Sequence, residues 1–182
     1  MLPVNSDIER RKRFELIAAQ VYEPLQRYLR RRATTDDAAD ALSEVLLTIW
    51  RRLDDVPSDV PLPWCYGVAR RCLANQRRGA KRHLQLVERM TSEASTSPAH
   101  EIDDPALEAA LSELPEADQE LLRLWAWEQL EPREIATVLQ TTPNAVSLRL
   151  TRAKAKLESK LSRQDSSTAG QKRDRHTEEH RP

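Results

Sequence analysis

One segment near the C-terminal end constrains the fold most, because it carries both the boundaries and the periodicity of a helix pair. Pro132 stands where a helix starts, and Thr142 followed by Pro143 offers the next helix a hydroxyl N-cap and a proline at its first position. Apolar residues then recur at the helical period along one side of this second helix: Val146, Leu150, Ala153, Leu157 and Leu161. The pattern predicts a helix-turn-helix between Glu131 and Leu161.

The second helix of this pair is basic on one side. No acidic residue occurs between Glu134 and Glu158, whereas four basic residues do. A helix with one basic face is the expected footprint of a helix that enters the DNA major groove. A helical hairpin whose basic face is only solvated is the simpler alternative, and the one-sided charge argues against it. We therefore predict that this helix binds DNA.

Nothing in the sequence predicts a β-sheet. The 182 residues include only three glycines, and β-branched residues form no alternating runs. Residues 88–104 are polar, acidic and without apolar periodicity, which is typical of a linker. We predict an all-α protein of two small helical domains, 10–87 and 105–161, joined by this flexible linker and followed by a disordered tail at 162–182.

The first domain is predicted to contain three helices. Pro24 should kink or split the first helix, which closes on three arginines, residues 30–32, whose charge suits a helix C-terminus. Thr35 is a natural N-cap for the second helix. The third helix is expected to begin near Trp64 and to end at about His83.

This third helix is also basic, with no acidic residue between Asp59 and Glu88. Its positive side chains are Arg70, Arg71, Arg77, Arg78, Lys81 and Arg82. Trp64 and Tyr66 open the helix, and an aromatic side chain there can either stack on bases or pack in the core. The core is the favoured place for Trp64, and both places remain open for Tyr66. A basic helix led by aromatic residues suits a site that holds a nucleic-acid backbone.

No cluster of residues predicts catalysis, a metal or a cofactor. Asp40 and Glu44 share a helix face, but no histidine lies near them, so a solvated surface is the favoured interpretation. Cys65 and Cys72 lie seven apart in one predicted helix, about 10 Å apart, which is too far for a disulfide. We interpret them as core residues in a reducing compartment. No run approaches the roughly 18 apolar residues that a membrane span needs, so we expect a cytoplasmic protein without membrane insertion.

The order of these parts resembles the extracytoplasmic-function (ECF) class of bacterial RNA polymerase sigma factors. Residues 37–51 (DAADALSEVLLTIWR) are similar to the region 2 core-binding helix of that family, close to D-A-E-D-L-V-Q-E-x-F-x-x-x-W. Residues 63–70 (PWCYGVAR) are similar to the next region 2 segment, A-W-L-Y-x-I-A-R. Region 4 is matched by 134–136 (EIA) and 144–153 (NAVSLRLTRA), where the family reads E-I-A and G-T-V-x-S-R-x-x-R-A.

The chain departs from the family pattern at four of these positions. Gln140 stands where the turn often has glycine, which puts the geometry of that turn in doubt. Leu148 replaces the usual serine and Asn75 the usual acidic residue, and both departures bear on promoter preference. Ser43 replaces the common glutamine beside Glu44.

The resemblance implies three functional surfaces. Asp40, Glu44 and Leu47 would dock on the clamp helices of core RNA polymerase. The third helix would hold the −10 element and the melted strand, through Tyr66, Arg70, Arg71, Asn75, Arg78 and Lys81. The helix from Pro143 would read the −35 element, through Asn144, Ser147, Leu148, Arg149, Arg152 and Lys156.

These features together predict a sigma factor without catalytic activity or cofactor, whose partners are core RNA polymerase and promoter DNA. The family also implies an anti-sigma factor. The main alternative is a dimeric helix-turn-helix regulator that binds a palindromic operator. The second basic cluster, at 70–82, has no place in that design.

Overall fold

The computed structural model describes the backbone of residues 4–87 and 104–174 and the side chains of residues 7–80 and 104–163. A short 3-10 turn, Leu53–Asp55, precedes the third of seven helices. The helices are α1 (Val4–Arg30), α2 (Thr35–Arg51), α3 (Pro61–Val87), α4 (Pro105–Ser112), α5 (Glu116–Ala126), α6 (Pro132–Leu139) and α7 (Pro143–Asp174). The described parts of the chain contain no strand, and the predicted all-α class is confirmed.

Helices α1, α2 and α3 pack against one another through the apolar stripes that their sequences predict. The stripe of α1 is fully buried at Val21, Leu25 and Leu29. The residue that caps α2 is Thr34, one position before the predicted one, and its hydroxyl oxygen accepts a hydrogen bond from the backbone N–H of Asp37. Such a side-chain cap satisfies one of the N–H groups that the first turn leaves unpaired.

Helix α1 runs through Pro24 without interruption, so the predicted split into two helices does not occur. Proline cannot donate the backbone hydrogen bond to the carbonyl four residues earlier, here that of Gln20. Gln20 is exposed, and water can hydrate its carbonyl. Because Val21 and Leu25 are fully buried on either side of the proline, packing keeps the two parts of the helix together.

Helices α4 to α7 form the C-terminal half. Asp104 caps α4 by accepting hydrogen bonds from the N–H groups of the second and third residues of the helix. Glu131 and Glu134 form a capping box at the start of α6. The interior is built on aliphatic side chains that the 3.6-residue period places inward, among them Leu121, Leu124, Ile135, Val138 and Val146.

A domain as small as 105–161 needs large buried side chains, which predicts Trp125 and Trp127 as core residues. Trp125 does not fulfil this prediction, because 42% of its surface is exposed. Leu124 occupies the inward position of α5, so the next residue turns outward by about 100°. The ammonium of Lys154 lies 3.2 Å from the centre of the Trp125 ring. Trp127, the other tryptophan assigned to this core, is half-buried.

The two halves share one hydrophobic core, which the prediction of two tethered domains did not include. Helix α3 of the first half packs on α6 of the second. At Gly67 the backbones approach so closely that an added Cβ would lie 3.5 Å from the carbonyl oxygen of Val138. The predicted linker, 88–104, lies outside the described residues except for Asp104.

Helix α7 continues beyond Leu161 as far as Asp174, into the segment where the sequence predicted a tail without structure. Apolar periodicity ends at Leu161, but extension of an existing helix costs far less than nucleation of a new one, so α7 can continue into a polar segment. Residues 175–182 of the predicted tail lie outside the described residues.

Candidate nucleic-acid interface

The turn between α6 and α7 sets the direction of α7, which packs on α4, α5 and α6. Gln140 ends α6 in the left-handed conformation, with a φ of 54°. This geometry explains why glycine suits the position, since only glycine adopts it without a steric cost. Thr142 then caps α7, as predicted, because its hydroxyl oxygen accepts a hydrogen bond from the N–H of Ala145 at 3.3 Å.

One side of α7 is buried and the opposite side faces solvent. Val146, Leu150 and Ala153 pack into the core. The solvent-facing side carries four of the residues predicted to read the −35 element: Asn144, Ser147, Leu148 and Arg152. Leu148 is apolar and 53% exposed. A face of this composition offers hydrogen-bonding groups, a positive charge and one apolar contact to the edges of bases.

Arg149 and Lys156, the other two candidates on α7, face α5. A guanidinium nitrogen of Arg149 lies 3.5 Å from the carbonyl oxygen of Ala117. The ammonium of Lys156 donates to Asp118 at 2.7 Å. Both charges therefore lie on the flank of α7 that packs toward α5, beside the face that carries Arg152.

The basic residues of α3 form a second exposed surface. Arg70, Arg71, Asn75 and Arg78 are exposed. The guanidinium of Arg78 donates to the side-chain oxygen of Asn75 at 2.6 Å, which links two of these candidates directly. The side chain of Lys81, the remaining basic candidate, lies outside the described residues.

Tyr66 differs from the other α3 candidates because only 2% of its surface is exposed. Its ring packs on Tyr28 with centroids 4.9 Å apart, at the junction of the two halves. Burial raises the pKa of its hydroxyl well above the usual value. In this arrangement Tyr66 cannot stack on a base. Trp64 is half-buried and lies below the guanidinium of Arg52, at 5.5 Å from the ring centre.

Asp40, Glu44 and Leu47 lie along one exposed side of α2. The two carboxylates are exposed, and 46% of the Leu47 surface is exposed. The positions are four and three residues apart, so they share a face of the helix. An apolar residue beside two carboxylates on an open helix face is suited to contact with another protein.

A cluster of ion pairs at the junction of the two halves was not predicted from the sequence. Arg32, which follows α1, is 4% exposed, and its guanidinium donates to Glu120 and to Glu128, both at 3.0 Å. Tyr28 donates its hydroxyl to Glu120 at 3.0 Å, and Arg31 donates to Glu128 at 3.3 Å. Every one of these bonds joins the end of α1 to α5 or to the turn that follows it. We call these five residues the junction cluster.

The charges of the junction cluster alter the titration of its members. Burial raises the pKa of Tyr28 well above its usual value, and the carboxylate of Glu120 raises it further. Burial alone would lower the pKa of Arg32, but Glu120, with Tyr28 and Glu128, more than reverses this and raises it. Arg32 therefore stays cationic although it is buried, as expected for a guanidinium held by two carboxylates. In the sequence, the junction cluster is indicated by the three consecutive arginines at 30–32, but such a run fits a solvated helix end equally well.

Within the described ranges no helix is both long and apolar enough to cross a membrane. Among the same residues, no group of three metal-binding side chains is arranged to hold a metal ion. The two thiols, Cys65 and Cys72, are buried and unbridged.

Residues 105–157 match the family model "Sigma-70, region 4". Three solved structures share the fold over about four-fifths of the chain. The sigma factor RpoE from Bartonella quintana, in complex with the anti-sigma factor NepR, is 20% identical, with a TM-score of 0.62 over 82% of this chain and 96% of that one. CnrH, in complex with the cytosolic domain of CnrY, is 23% identical, with a TM-score of 0.56 over 82% and 87%.

The PhyRSL–NepR complex from Sphingomonas sp. Fr1 is 21% identical, with a TM-score of 0.59 over 80% of this chain and 87% of that one. No curated protein sequence matches the chain significantly. The family match covers the helix-turn-helix, and the shared fold covers both halves. The resemblance inferred from the motifs is thereby confirmed for region 4 at 105–157 and for the fold.

Proposed function

We propose that this chain, whose residues 105–157 belong to sigma-70 region 4 and whose fold is that of ECF sigma factors, binds core RNA polymerase and directs it to promoters. The observation that carries the proposal is the helix-turn-helix inside the region 4 match, which presents an exposed polar face on α7. The protein would act by binding and would have no catalytic activity of its own.

The side of α2 formed by Asp40, Glu44 and Leu47 is the proposed docking surface for the clamp helices of the polymerase. Its exposure supports this role, since each side chain is available to a partner. The carboxylates would set the orientation of the complex and its rate of formation, and the leucine would supply apolar contact.

The two DNA elements of a promoter would be read by the two halves of the chain. Arg70, Arg71, Asn75 and Arg78, the exposed candidates of α3, would hold the −10 element. Lys81 would complete this site at the melted strand, and Tyr66 would join it once it is uncovered. The face of α7 that carries Asn144, Ser147, Leu148 and Arg152 would read the −35 element, and Arg149 and Lys156 would contact phosphates from its flank. The domains at 10–87 and 105–161 would be joined by a flexible linker. Because this connection raises the effective concentration of each domain at its DNA element, neither contact would need high affinity alone.

An anti-sigma factor is the proposed inhibitory partner, and the cytoplasm is the proposed location. RpoE and CnrH, which share the fold, were each solved as a complex, RpoE with the anti-sigma factor NepR and CnrH with the cytosolic domain of CnrY. A partner of that kind would regulate this chain by covering the surfaces that polymerase and DNA need.

The first test is co-elution of the purified chain with bacterial core RNA polymerase in size-exclusion chromatography. The variant Asp40→Ala/Glu44→Ala removes two charges from the proposed docking surface and should weaken the complex. Asp59→Ala/Glu158→Ala is the matched control, because it removes two exposed carboxylates elsewhere and should leave the complex intact.

Failure to form any complex at micromolar protein, with a stable dimer instead, would contradict the proposal. That result would favour the dimeric regulator that binds an operator. A complex that both double variants weaken equally would show that general charge, and not the α2 surface, drives the association.

A further inference from the structure

The junction cluster is built as a connection between the two halves. The carboxylate of Glu128 is 3% exposed and receives hydrogen bonds from Arg31 and Arg32. The carboxylate of Glu120 is 16% exposed and receives hydrogen bonds from Tyr28 and Arg32. The guanidinium of Arg32 also lies 3.7 Å from the centre of the Tyr28 ring. Two acids from the second half are thus neutralised by two bases from the first.

The same contact places part of the proposed DNA-binding surface out of reach. Gly67 lies against Val138 of α6, and it precedes Arg70 and Arg71 by three and four residues on the same side of α3. Helix α6 therefore lies beside the first turn of the basic face, where the side chains of Arg70 and Arg71 remain exposed. Tyr66 is buried at the same junction.

We propose that the junction cluster is a latch that holds the free protein closed, with Tyr66 buried and α6 beside the start of the basic face of α3, and that DNA binding requires the latch to open. The part that concerns DNA rests on the proposed function, whereas the closed state itself does not. Arg77, one of the basic residues of α3, helps to position Arg32 from within the first half, because it donates to the carbonyl oxygen of Arg32 at 2.9 Å.

The closed and open states are expected to differ little in free energy, so that the protein can open. A buried ion pair gains little over separated, hydrated charges, because removing charges from water costs nearly as much as their attraction returns. In addition, the Nη2 atom of Arg32 is buried without a hydrogen-bond partner among the described residues, which costs the closed state and not the open one. A partner that binds only the separated halves can therefore shift the equilibrium.

Reversal of one charge in the junction cluster should shift the equilibrium strongly toward the open state. Glu128→Lys would place a third positive charge beside Arg31 and Arg32, so closing would bury uncompensated charge. Both side-chain hydrogen bonds of Glu128 cross the junction, and the second half needs neither of them for its own core. We therefore expect the variant to fold and to open. Glu158→Lys is the matched control, since it makes the same change of charge at an exposed position of α7.

A second pair of variants opens the junction without any change of charge. An added Cβ at position 67 would lie at ordinary contact distance, so Gly67→Ala should keep the closed state. The longer side chain of Gly67→Gln would collide with α6 and separate the halves. Both substitutions replace a helix-interior glycine with a better helix former, so α3 itself should not be weakened.

The experiment measures the radius of gyration by small-angle X-ray scattering, with helix content by circular dichroism as a check on folding. We expect a larger radius for Glu128→Lys and Gly67→Gln and the wild-type radius for the two controls. Affinity for a labelled random-sequence duplex with a single-stranded end is then compared for the Gly67 pair. If the open state is a minor fraction of the free protein, opening should raise this affinity about tenfold or more.

An unchanged radius in both folded test variants would overturn the latch. A larger radius without a gain in DNA affinity would overturn the claim that closure blocks DNA. Neither result depends on polymerase, so the scattering test can fail while co-elution with polymerase succeeds, and the reverse also holds.

Discussion

The ammonium of Lys156 lies 2.7 Å from the carboxylate of Asp118 and so ties α7 to the first turn of α5. The Asp118 side chain is 14% exposed, and that of Lys156 is half exposed. Lys156 therefore helps to hold α7 in place, in addition to its proposed contact with a phosphate. Arg149 has a comparable position against Ala117.

We expect Lys156→Ala and Asp118→Ala each to lower the free energy of unfolding, with a coupling between them of roughly 0.2–1 kcal/mol, the range of partly exposed ion pairs. Urea denaturation of the wild type, both single variants and the double variant measures this coupling. Arg163→Ala, at an exposed position farther along α7, is the control. Strictly additive effects of the two substitutions would show that the pair contributes nothing to stability.

Arg152→Ala should weaken binding to a −35 duplex by about 1–3 kcal/mol if Arg152 contacts bases, because its side chain lies on the outer face of α7. Arg149→Ala should cost less and act equally on all sequences, since Arg149 faces α5 and is proposed to contact phosphates from the flank of α7. Fluorescence anisotropy with matched and scrambled duplexes separates the two effects. If Arg152→Ala loses the same affinity for both duplexes, Arg152 contacts phosphates and not bases.

Gln140→Gly should raise the free energy of unfolding by about 0.5–1 kcal/mol, because glycine relieves the left-handed backbone that Gln140 adopts. Thermal or urea denaturation measures the gain. Gln140→Ala serves as the control, since alanine keeps the steric cost and should give no gain. Destabilisation by glycine would mean that the Gln140 side chain stabilises the turn in another way.

Stability should fall as the pH rises above about 9, in part because of Cys65. Burial raises the pKa of this thiol from 9.0 to about 12. Its contribution is fully present below the unfolded pKa, and between pH 9 and 12 the unfolded chain releases a proton that the folded chain keeps, so the free energy of unfolding declines, by up to about 1.4 kcal/mol per pH unit. Cys65→Ala should make the decline shallower in urea denaturation from pH 8 to 10.5. An unchanged slope would show that the thiol is accessible to hydroxide in the native state.

Several features of this protein could be predicted from local sequence, because they depend on neighbours within about four residues. The N-cap at Thr142 and the buried stripe from Val146 to Ala153 follow from side-chain chemistry and the helical period. The all-α class was predicted from the low glycine content and the helical periodicity, and the region 4 motif predicted the family match at 105–157. The N-cap of α2 was predicted one residue too late, at Thr35 in place of Thr34.

Only the tertiary structure decided which charged and aromatic residues are buried. Arg32 has the same local sequence signal as any arginine at a helix end, yet it is enclosed because Glu120 and Glu128, about ninety residues away, meet it at the junction. Tyr66 is buried, while Trp125 is exposed, for the same reason: burial depends on which helices pack together, here α3 on α6. Periodicity determines the side of a helix on which a residue lies, but the partner that covers this side is a long-range contact, and no local pattern in the chain encodes it.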